Sequence, residues 1–285
     1  MIRSLVPWWA RIGLKLALSA VPMPYAAWKA LRLFEHGAME KPDYALRCFR
    51  QHHEAVGSPR WSGVEAVLEL GPGDSVCGAQ IARAHGAGAS WLVDAGDFAT
   101  TDLRVYRAMA ELLDAIGHAP VSGWSSRSEL LAACGANYLT EGTSSLARIP
   151  DASVDFAYSH AVLEHVPRAE LPTLFSELRR VARPGSLSSH QVDLRDHLGG
   201  GLNNLRVGSR AWESRRYRTA GFYTNRARRE DYLRLIGEAG FEVIALESRT
   251  WESVPIARNA LAPEFRHYSD DELRVQGFSV VLRAP

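Results

Sequence analysis

The chain of 285 residues carries 33 basic and 32 acidic side chains, a net charge of +1, so its charge alone does not attract it to nucleic acid. Its hydrophobic share of 46% and charged share of 23% are ordinary for a globular protein with a sizeable core, which fits one α/β domain with additions. The three scattered cysteines lack metal-ligand and disulfide spacing, so we expect no metal and a cytoplasmic protein.

Residues 1–60 predict a helical cap or arm and contain no strand pattern. Arg11, Lys15, Pro22 and Pro24 interrupt its apolar stretch, which argues against a membrane-spanning helix and against a signal-peptide core. Two arrangements remain for this segment: a helical arm packed on the body of the protein, or an amphipathic segment lying on a membrane surface. The pattern favours the packed arm, whereas the second arrangement would hold the protein at the inner face of the membrane.

Strands alternate with helices through residues 61–285, which is typical of a mainly parallel sheet with helices on both faces. We predict strands at 66–70, 90–94, 136–139, 155–159, 186–194, 241–246 and 278–283. Helices are predicted at 43–54, 76–87, 102–116, 126–133, 171–182 and 228–239. A long arginine-rich insertion, residues 195–229, follows the fifth strand, and loops at that edge of such a sheet face the ligand crevice.

The turn after the first strand predicts a site for a nucleotide-like cofactor. Gly71 and Gly73 allow close backbone approach at the start of a helix. The dinucleotide fingerprint fails because Val76 stands where its third glycine belongs, and no P-loop lysine follows. Asp74 would repel a pyrophosphate but suits a positively charged cofactor. Asp94, about twenty residues past the glycines, is placed to accept hydrogen bonds from ribose hydroxyls.

Five short blocks occur in one order along the chain: Glu69–Ser75, Leu92–Asp94, Ile149–Phe156, Ser159–Val166 and Leu178–Gly185. In this order they resemble class I S-adenosylmethionine-dependent methyltransferases, including the group with a Leu-Glu-His block after strand four. The resemblance covers roughly residues 65–195. It implies a doubly wound, seven-stranded sheet with the last strand antiparallel. It also implies S-adenosylmethionine as cofactor, lying across the carboxyl ends of the first two strands.

The resemblance also assigns cofactor-binding residues by position. Glu69 would fix the loop and the methionine end, and Asp94 would bind the ribose. Ser75 replaces the family's third glycine, and Thr143 stands where the family often has an aspartate near the adenine. The full set is Glu69, Gly71, Pro72, Gly73, Asp94, Gly142, Thr143, Ser159 and His160, of which the last two would border the methionine moiety and the methyl group.

Methyl transfer from a sulfonium needs positioning of the acceptor and, for a hydroxyl, removal of its proton. A base is expected where the fourth and fifth strands end. Asp193 and His197 follow the fifth strand and are the first candidates. His165, in the Leu-Glu-His block, is a third candidate for which a structural role is the alternative.

The insertion predicts the acceptor contacts. Arginine forks favour carboxylate, phosphate or sulfate groups, and this insertion interleaves arginines with aromatic side chains. Tyr223, Asn225 and Arg226 enter the next helix near the ligand edge, so we predict that they contact the acceptor. Most of the remaining arginines are expected to be solvated.

We therefore expect a methyltransferase that acts on an oxygen of a small-molecule or glycan acceptor with an anionic portion. One alternative is RNA methylation, which arginines among aromatics permit but which the near-neutral charge opposes. The other is a non-catalytic S-adenosylmethionine-binding protein, which the intact set of Gly71, Gly73 and Asp94 argues against. The sequence makes no prediction of oligomeric state.

Overall fold

The computed structural model describes residues 8–19 and 38–285, so the prediction for residues 1–60 lies partly outside the described residues. The strands are β1 (Ala66–Leu70), β2 (Ala89–Val93), β3 (Ala136–Leu139), β4 (Val154–His160), β5 (Ala182–Asp193), β6 (Glu242–Thr250) and β7 (Val275–Arg283). The α-helices are α1 (Trp8–Ser19), α2 (Pro42–Ala55), α3 (Cys77–Ala84), α4 (Leu103–Ala115), α5 (Arg127–Ala133), α6 (Leu171–Val181), α7 (Ser209–Trp212), α8 (Arg215–Arg218), α9 (Arg229–Glu238) and α10 (Asp270–Leu273). Short 3₁₀ turns lie at Gly142–Arg148, Leu163–His165, Arg168–Glu170, Asn203–Arg206, Arg258–Ala260 and Pro263–Phe265.

The seven strands form one sheet in the order β3-β2-β1-β4-β5-β7-β6. The first five strands pair in parallel, and β7 runs antiparallel to both β5 and β6. This confirms the predicted doubly wound sheet and its antiparallel last strand. Because β1, β2, β4 and β5 are parallel, their carboxyl ends meet at one edge, and the loops that leave this edge carry most of the predicted site residues.

Apolar side chains on the two faces of the sheet build two cores. On one face, Phe49 of α2 and Met109 of α4 pack in one cluster with Phe156 of β4. On the other face, Phe175 of α6 and Tyr232 of α9 pack against each other and the sheet. Successive side chains of a strand point to opposite faces of the sheet, so each strand contributes to both cores. Burial of each such large apolar side chain stabilises the fold by about 2–3 kcal/mol, and this holds the helices on both faces.

Strand β5 differs from its prediction. The Pro184-Gly185 pair predicts a turn with the strand starting at residue 186, but β5 begins at Ala182 and pairs there with Val154. Pairing then shifts, and Phe156 opposes Leu187. Proline has no N–H to donate to the ladder, so it is accommodated in an irregularity within the strand instead of ending it.

The insertion after β5 and helix α1 pack on each other beside the sheet. Ile12 and Leu16 of α1 share a buried cluster with Leu198, Trp212 and Phe222 of the insertion. A second cluster joins the insertion to the segment between β6 and β7, and it contains Leu202, Leu205, Leu261, Phe265 and Tyr268. Within the described part of the chain, no helix is long and apolar enough to cross a membrane. Most of the segment for which a membrane-surface arrangement was considered lies outside the described residues.

Candidate functional site

The loop after β1 depends on its two glycines. Gly71 and Gly73 adopt φ values of +70° and +65°, in the left-handed region that glycine enters without strain. The N–H of Gly71 donates to the carbonyl of Val93, 2.8 Å away, which ties the loop to the end of β2. A Cβ at Gly71 would lie 2.3 Å from Cγ2 of Val162. The loops after β1 and β4 therefore meet without room for a side chain at this glycine.

Asp94 connects the loops after β1 and β2. Its Oδ2 accepts from the N–H of Gly73 at 2.9 Å, and its Oδ1 accepts from the N–H of Ala95 at 2.7 Å. An ionised carboxylate has about four acceptor sites, so these two bonds leave it able to accept from ribose hydroxyls as well. The structure thus brings the predicted ribose acceptor directly against the glycine loop.

The loop that follows Asp94 is held by a residue that sequence reasoning missed. The Tyr138 hydroxyl at the end of β3 accepts from the N–H of Phe98 at 3.2 Å and donates to the carbonyl of Gly96 at 3.1 Å. Arg127 adds two 2.8 Å bonds to the carboxylate of Asp97. A tyrosine inside a short strand carries no pattern that distinguishes this role, so only the folded loop reveals it.

Gly142 and Thr143, both predicted at the cofactor, have different partners in the structure. The N–H of Gly142 donates to the Asp94 carbonyl at 2.8 Å, and its φ is +62°, so this turn lies beside the ribose acceptor. The Thr143 hydroxyl donates to Oε2 of Glu170 at 3.3 Å. The predicted adenine side of the site is therefore adjacent to Asp94, and the Thr143 side chain is engaged with a neighbouring turn.

Glu69 lies beneath the glycine loop, inside the protein. Its carboxyl is buried under α3, where a Cβ at Gly78 would be 1.9 Å from its Oε2, and it hydrogen-bonds to the Tyr158 hydroxyl. Burial raises the pKa of Glu69 to about 8. The side chain faces the helical layer, so its predicted role at the methionine end would be exerted through the backbone of the loop.

Replacing Glu69 with glutamine is expected to reduce the loss of stability at alkaline pH. Because the folded state raises the pKa from 4.5 to about 8, the stabilisation is complete below pH 4.5 and is lost as the pH rises through 8. Glutamine resembles the protonated acid, so from pH 5 to pH 8.5 the variant should lose about 4 kcal/mol less unfolding free energy than the wild type. Urea unfolding at both pH values measures this, with Glu111→Gln on the exposed side of α4 as control. Parallel declines in variant and wild type would contradict the assignment.

Ser159 and His160 point to opposite faces of β4. The Ser159 hydroxyl hydrogen-bonds to Nδ1 of His190, 2.8 Å away, and both side chains are buried. His160 is half-buried and lines an open groove of about 500 Å³ between α2 and the strand ends. The next residue, Ala161, has a φ of +55°, a conformation that costs a non-glycine residue about 1 kcal/mol. This backbone turn separates His160 from Val162, which covers Gly71.

Helix α2 supplies most of the groove wall, and sequence reasoning missed its contribution. The groove is lined by Tyr44, Arg47, Cys48, Arg50, Gln51 and Glu54 together with His160. The helix itself was predicted as part of the cap. The helix lies outside the five family blocks, so the resemblance assigns none of its residues to the site. No local pattern shows which of its faces meets the carboxyl edge of the sheet.

The three predicted catalytic residues lie close together. The His165 and His197 rings are 4.9 Å apart between centroids, and the Tyr223 carbonyl lies 3.1 Å from Nδ1 of His165. Burial raises the pKa of Asp193, but hydrogen bonds from Arg195 at 2.9 and 2.7 Å outweigh it and leave that pKa below its usual value. A paired carboxylate of lowered pKa is a weak base, so the histidines are the stronger candidates within this group.

The three predicted acceptor contacts hold the insertion to the body of the protein. The Asn225 amide donates to the carbonyls of Leu163 and Val166 at 2.7 and 2.9 Å. The Tyr223 hydroxyl donates to Glu213 at 2.7 Å. Arg226 is buried, and its terminal nitrogens bond to the carbonyls of Asn204 and Val207 and to the Ser209 hydroxyl. The Asn225 amide is thus engaged with the loop after β4, and the polar groups of Tyr223 and Arg226 are engaged inside the insertion.

Arg226→Ala is expected to lower the free energy of unfolding by about 3 kcal/mol, because it removes a buried charge with its hydrogen bonds. The guanidinium also lies 5.0 Å from the Trp212 ring and 4.7 Å from the Phe265 ring. Arg210→Ala, at an exposed site in the same insertion, should change stability by less than about 0.5 kcal/mol. Urea denaturation distinguishes the two. If Arg226→Ala kept wild-type stability, a contact with the acceptor would become the better explanation of this residue.

In the described part of the chain, no group of three or more His, Cys, Asp or Glu side chains is arranged to hold a metal ion. The groups that line the site are carboxylates, imidazoles, arginines and backbone N–H groups. Glycine-loop backbone, Asp94 and the turn at Gly142 form one end of the site, and the groove beside His160 forms the other.

Part of the chain matches a known protein family. Residues 85–188 match a family model described as a methyltransferase domain, and this range contains Asp94, Gly142 and His160. No curated protein matches the chain.

Solved structures share the fold at low identity. A chain of the complex between the Trm112 methyltransferase activator and a methyltransferase of Haloferax volcanii is 18% identical, with a TM-score of 0.50, and the match covers 93% of this chain and 99% of that one. An S-adenosylmethionine-dependent methyltransferase of Mesorhizobium loti is 16% identical, with a TM-score of 0.43 and coverage of 79% and 93%. The geranyl diphosphate C-methyltransferase of Streptomyces coelicolor is 13% identical, with a TM-score of 0.47 and coverage of 79% and 74%. At these identities the likeness concerns the fold alone.

Proposed function

We propose that this class I S-adenosylmethionine-dependent methyltransferase methylates a hydroxyl group of an anionic small-molecule or glycan acceptor. The methyltransferase-domain match over residues 85–188 supports the enzyme class and, with it, S-adenosylmethionine as the cofactor. We infer the class of acceptor from the side chains that line the site. The observation that carries it is the basic groove beside His160, at the end of β4.

The residues at the glycine loop fit the cofactor. When bound, S-adenosylmethionine supplies a methyl group activated by a sulfonium. Gly71 and Gly73 expose backbone at the carboxyl end of β1, and Asp94 can accept from the ribose hydroxyls while it holds the loop. Gly142 lies against Asp94 on the adenine side. The chain's task at this end is to bind and orient, which contributes several kcal/mol to transfer.

The charges along the groove support an anionic acceptor. Arg47 and Arg50 line it, and neither has an ion-pair partner among the residues that the structure describes. Arg249 of β6 is close enough to lower the pKa of His160. Two arginines without ion-pair partners among the described residues, beside an imidazole of lowered pKa, suit a carboxylate, phosphate or sulfate attached to the group that is methylated.

A small acceptor fits better than RNA because most arginines of the insertion are already engaged within the chain. Arg226 and Arg228 are buried, Arg229 pairs with Glu272, and Arg218 lies 3.6 Å from Glu170. An RNA-binding face would need a continuous stretch of available cations. His165 and His197, which the sequence predicts as bases, lie at the insertion side of the same edge and can contact the acceptor there. Tyr223 and Asn225 contribute to this side of the site through the backbone that they order.

Labelled methyl transfer tests the proposal. The enzyme is incubated with methyl-labelled S-adenosylmethionine and cell extract, and the products are separated by anion exchange. We expect label in a retained fraction that resists nuclease and mild alkali, since a methyl ether survives alkali and a methyl ester does not. Nuclease-sensitive label would favour the RNA alternative, and cofactor binding without any transfer would favour the non-catalytic one.

Arg47→Glu provides the matched test of the groove. It should raise the concentration of the labelled fraction needed for half-maximal transfer at least tenfold and leave cofactor affinity unchanged. Arg107→Glu, an exposed arginine on α4 outside the groove, is the control of equal charge change. Equal effects of the two variants would show that the groove does not receive the acceptor.

A further inference from the structure

Three side chains from three different elements form a hydrogen-bonded row that ends at the groove. The Ser189 hydroxyl of β5 lies 2.8 Å from Nδ1 of His52 on α2. Nε2 of His52 lies 3.2 Å from Nδ1 of His160, at the end of β4. Ser189 and His52 are buried, and His160 is half-buried at the groove wall. Nε2 of His160 has no hydrogen-bond partner among the described residues.

We infer that His160 is the general base that accepts the acceptor's hydroxyl proton, and that His52 and Ser189 are positioning residues that hold its ring. This inference rests on the proposed function, because it assigns the base for that reaction. It differs from the expectation that Asp193, His197 or His165 serves as the base, and from the expectation that His160 contacts the cofactor only.

The row has one consistent arrangement of protons when His160 is charged. Both ring nitrogens of an imidazolium carry hydrogen, so Nδ1–H of His160 must donate to Nε2 of His52. Neutral His52 then carries its hydrogen on Nδ1 and donates to the Ser189 hydroxyl. The charged state of His160 is thus stabilised by two successive hydrogen bonds, and its ring is held with Nε2 directed away from His52.

When the row takes up a proton, its surroundings favour His160 over His52 as the residue that carries it. Burial, with the nearby rings of His160 and His190, lowers the pKa of His52 to about 3, so His52 relays orientation without taking the charge. Burial and then Arg249 of β6 lower the pKa of His160 itself, so it is neutral and able to act as a base at pH 7.

The other titratable or charged groups that face His160 come from α2. These are Tyr44, Arg47, Cys48, Arg50 and Glu54 at the groove wall.

The step balances without a further reactant. The acceptor oxygen forms a bond to the methyl carbon as the carbon–sulfur bond of the sulfonium breaks, and S-adenosylhomocysteine leaves as a neutral sulfide. The hydroxyl proton passes to Nε2 of His160 and later to solvent. The groove side of the ring is where an acceptor hydroxyl can reach Nε2 while its anionic part lies near Arg47.

Histidine ring NMR tests the row without any acceptor. Long-range ¹H–¹⁵N spectra of ¹⁵N-histidine-labelled protein with S-adenosylhomocysteine bound should show His160 titrating below pH 6.5. His52 should stay neutral to about pH 4 and carry its hydrogen on Nδ1 once His160 is charged. Ser189→Ala should lower the pKa of His160, and Ser188→Ala, a buried serine that neighbours it on the same strand, should not. Independent titration of His52 and His160, or equal effects of the two serine variants, would overturn the inference.

Activity provides the second readout, with the labelled retained fraction as acceptor. His160→Gln should lower kcat about 100-fold, keep the cofactor Kd within threefold and abolish the fall of kcat at acid pH. His52→Gln should lower kcat less and shift the pH at which kcat falls on the acid side. The inference fails and the proposed function stands if the wild type transfers label but kcat of His160→Gln still falls at acid pH. The same holds if that fall is lost in His165→Gln or His197→Gln instead. If the wild type transfers no label, the proposed function fails.

Discussion

Asp94→Ala is expected to weaken binding of S-adenosylhomocysteine at least 100-fold, about 2.7 kcal/mol at 25 °C. The carboxylate accepts from the N–H groups of Gly73 and Ala95, and we propose that it also accepts from the ribose hydroxyls of the cofactor. Hydrogen bonds to a charged acceptor are worth about 1.5–3 kcal/mol each, so losing the acceptor for the ribose accounts for the effect alone. Isothermal titration calorimetry measures it.

Two further variants separate the tasks of Asp94. Asp94→Asn keeps one oxygen that can accept from Gly73, so it should retain the loop and still lose about tenfold in affinity. Asp114→Asn, on the exposed surface of α4, removes the same charge far from the loop and should bind like the wild type. Unchanged affinity of Asp94→Ala would remove the ribose assignment and with it the arrangement of the cofactor across β1 and β2.

Gly71→Ala is expected to lower the free energy of unfolding by about 3 kcal/mol and to abolish detectable cofactor binding. At a φ of +70° an alanine costs about 1–2 kcal/mol from the backbone alone. Its Cβ would also stand 2.3 Å from Cγ2 and 3.1 Å from Cβ of Val162, so the loops after β1 and β4 must move apart. Urea unfolding and calorimetry measure the two losses.

Two comparisons isolate the contact with Val162 from the backbone strain. Gly123 has a φ of +79° and nothing within 4 Å of its Cβ position, so Gly123→Ala should show the backbone cost only. Adding Val162→Ala to Gly71→Ala removes the closest atoms and should restore about half of the lost stability. If Gly71→Ala and Gly123→Ala were equally destabilising, or if Val162→Ala gave no recovery, the contact between the two loops would carry none of the effect.

Local pattern was sufficient for the sheet and for the glycine loop. β1 and β3 coincide with their predicted bounds, and β2 and β4 differ by one residue at each end. These strands are short apolar runs between turn residues, so their ends are encoded locally. β6 continues to Thr250, four residues beyond its prediction, because its pairing with β7 extends it through polar residues that carry no strand pattern.

Local pattern placed some of the predicted site residues, whereas the contacts of others depend on distant parts of the chain. Asp94 and the glycines lie where strand spacing and the family blocks place them, because a parallel sheet brings strand ends to one edge. Their chemistry and their position near that edge predict acceptor contacts for Asn225 and Arg226. In the structure Asn225 donates to carbonyls of the loop after β4, and Arg226 donates to carbonyls inside the insertion. A polar side chain near an edge turns inward when its donors satisfy buried backbone, and this depends on partners many residues away.

By itself, the sequence determined the doubly wound sheet, and it predicted the glycine loop as a cofactor site and the methyltransferase class, since all three depend on periodicity and on short motifs whose residues are neighbours along the chain. Only the tertiary structure decided what faces the groove. His52 and His160 are 108 positions apart and Ser189 is 137 positions from His52, so their row exists only after α2 packs over the ends of β4 and β5. Contacts of this kind arise from packing between elements, and no local pattern encodes them.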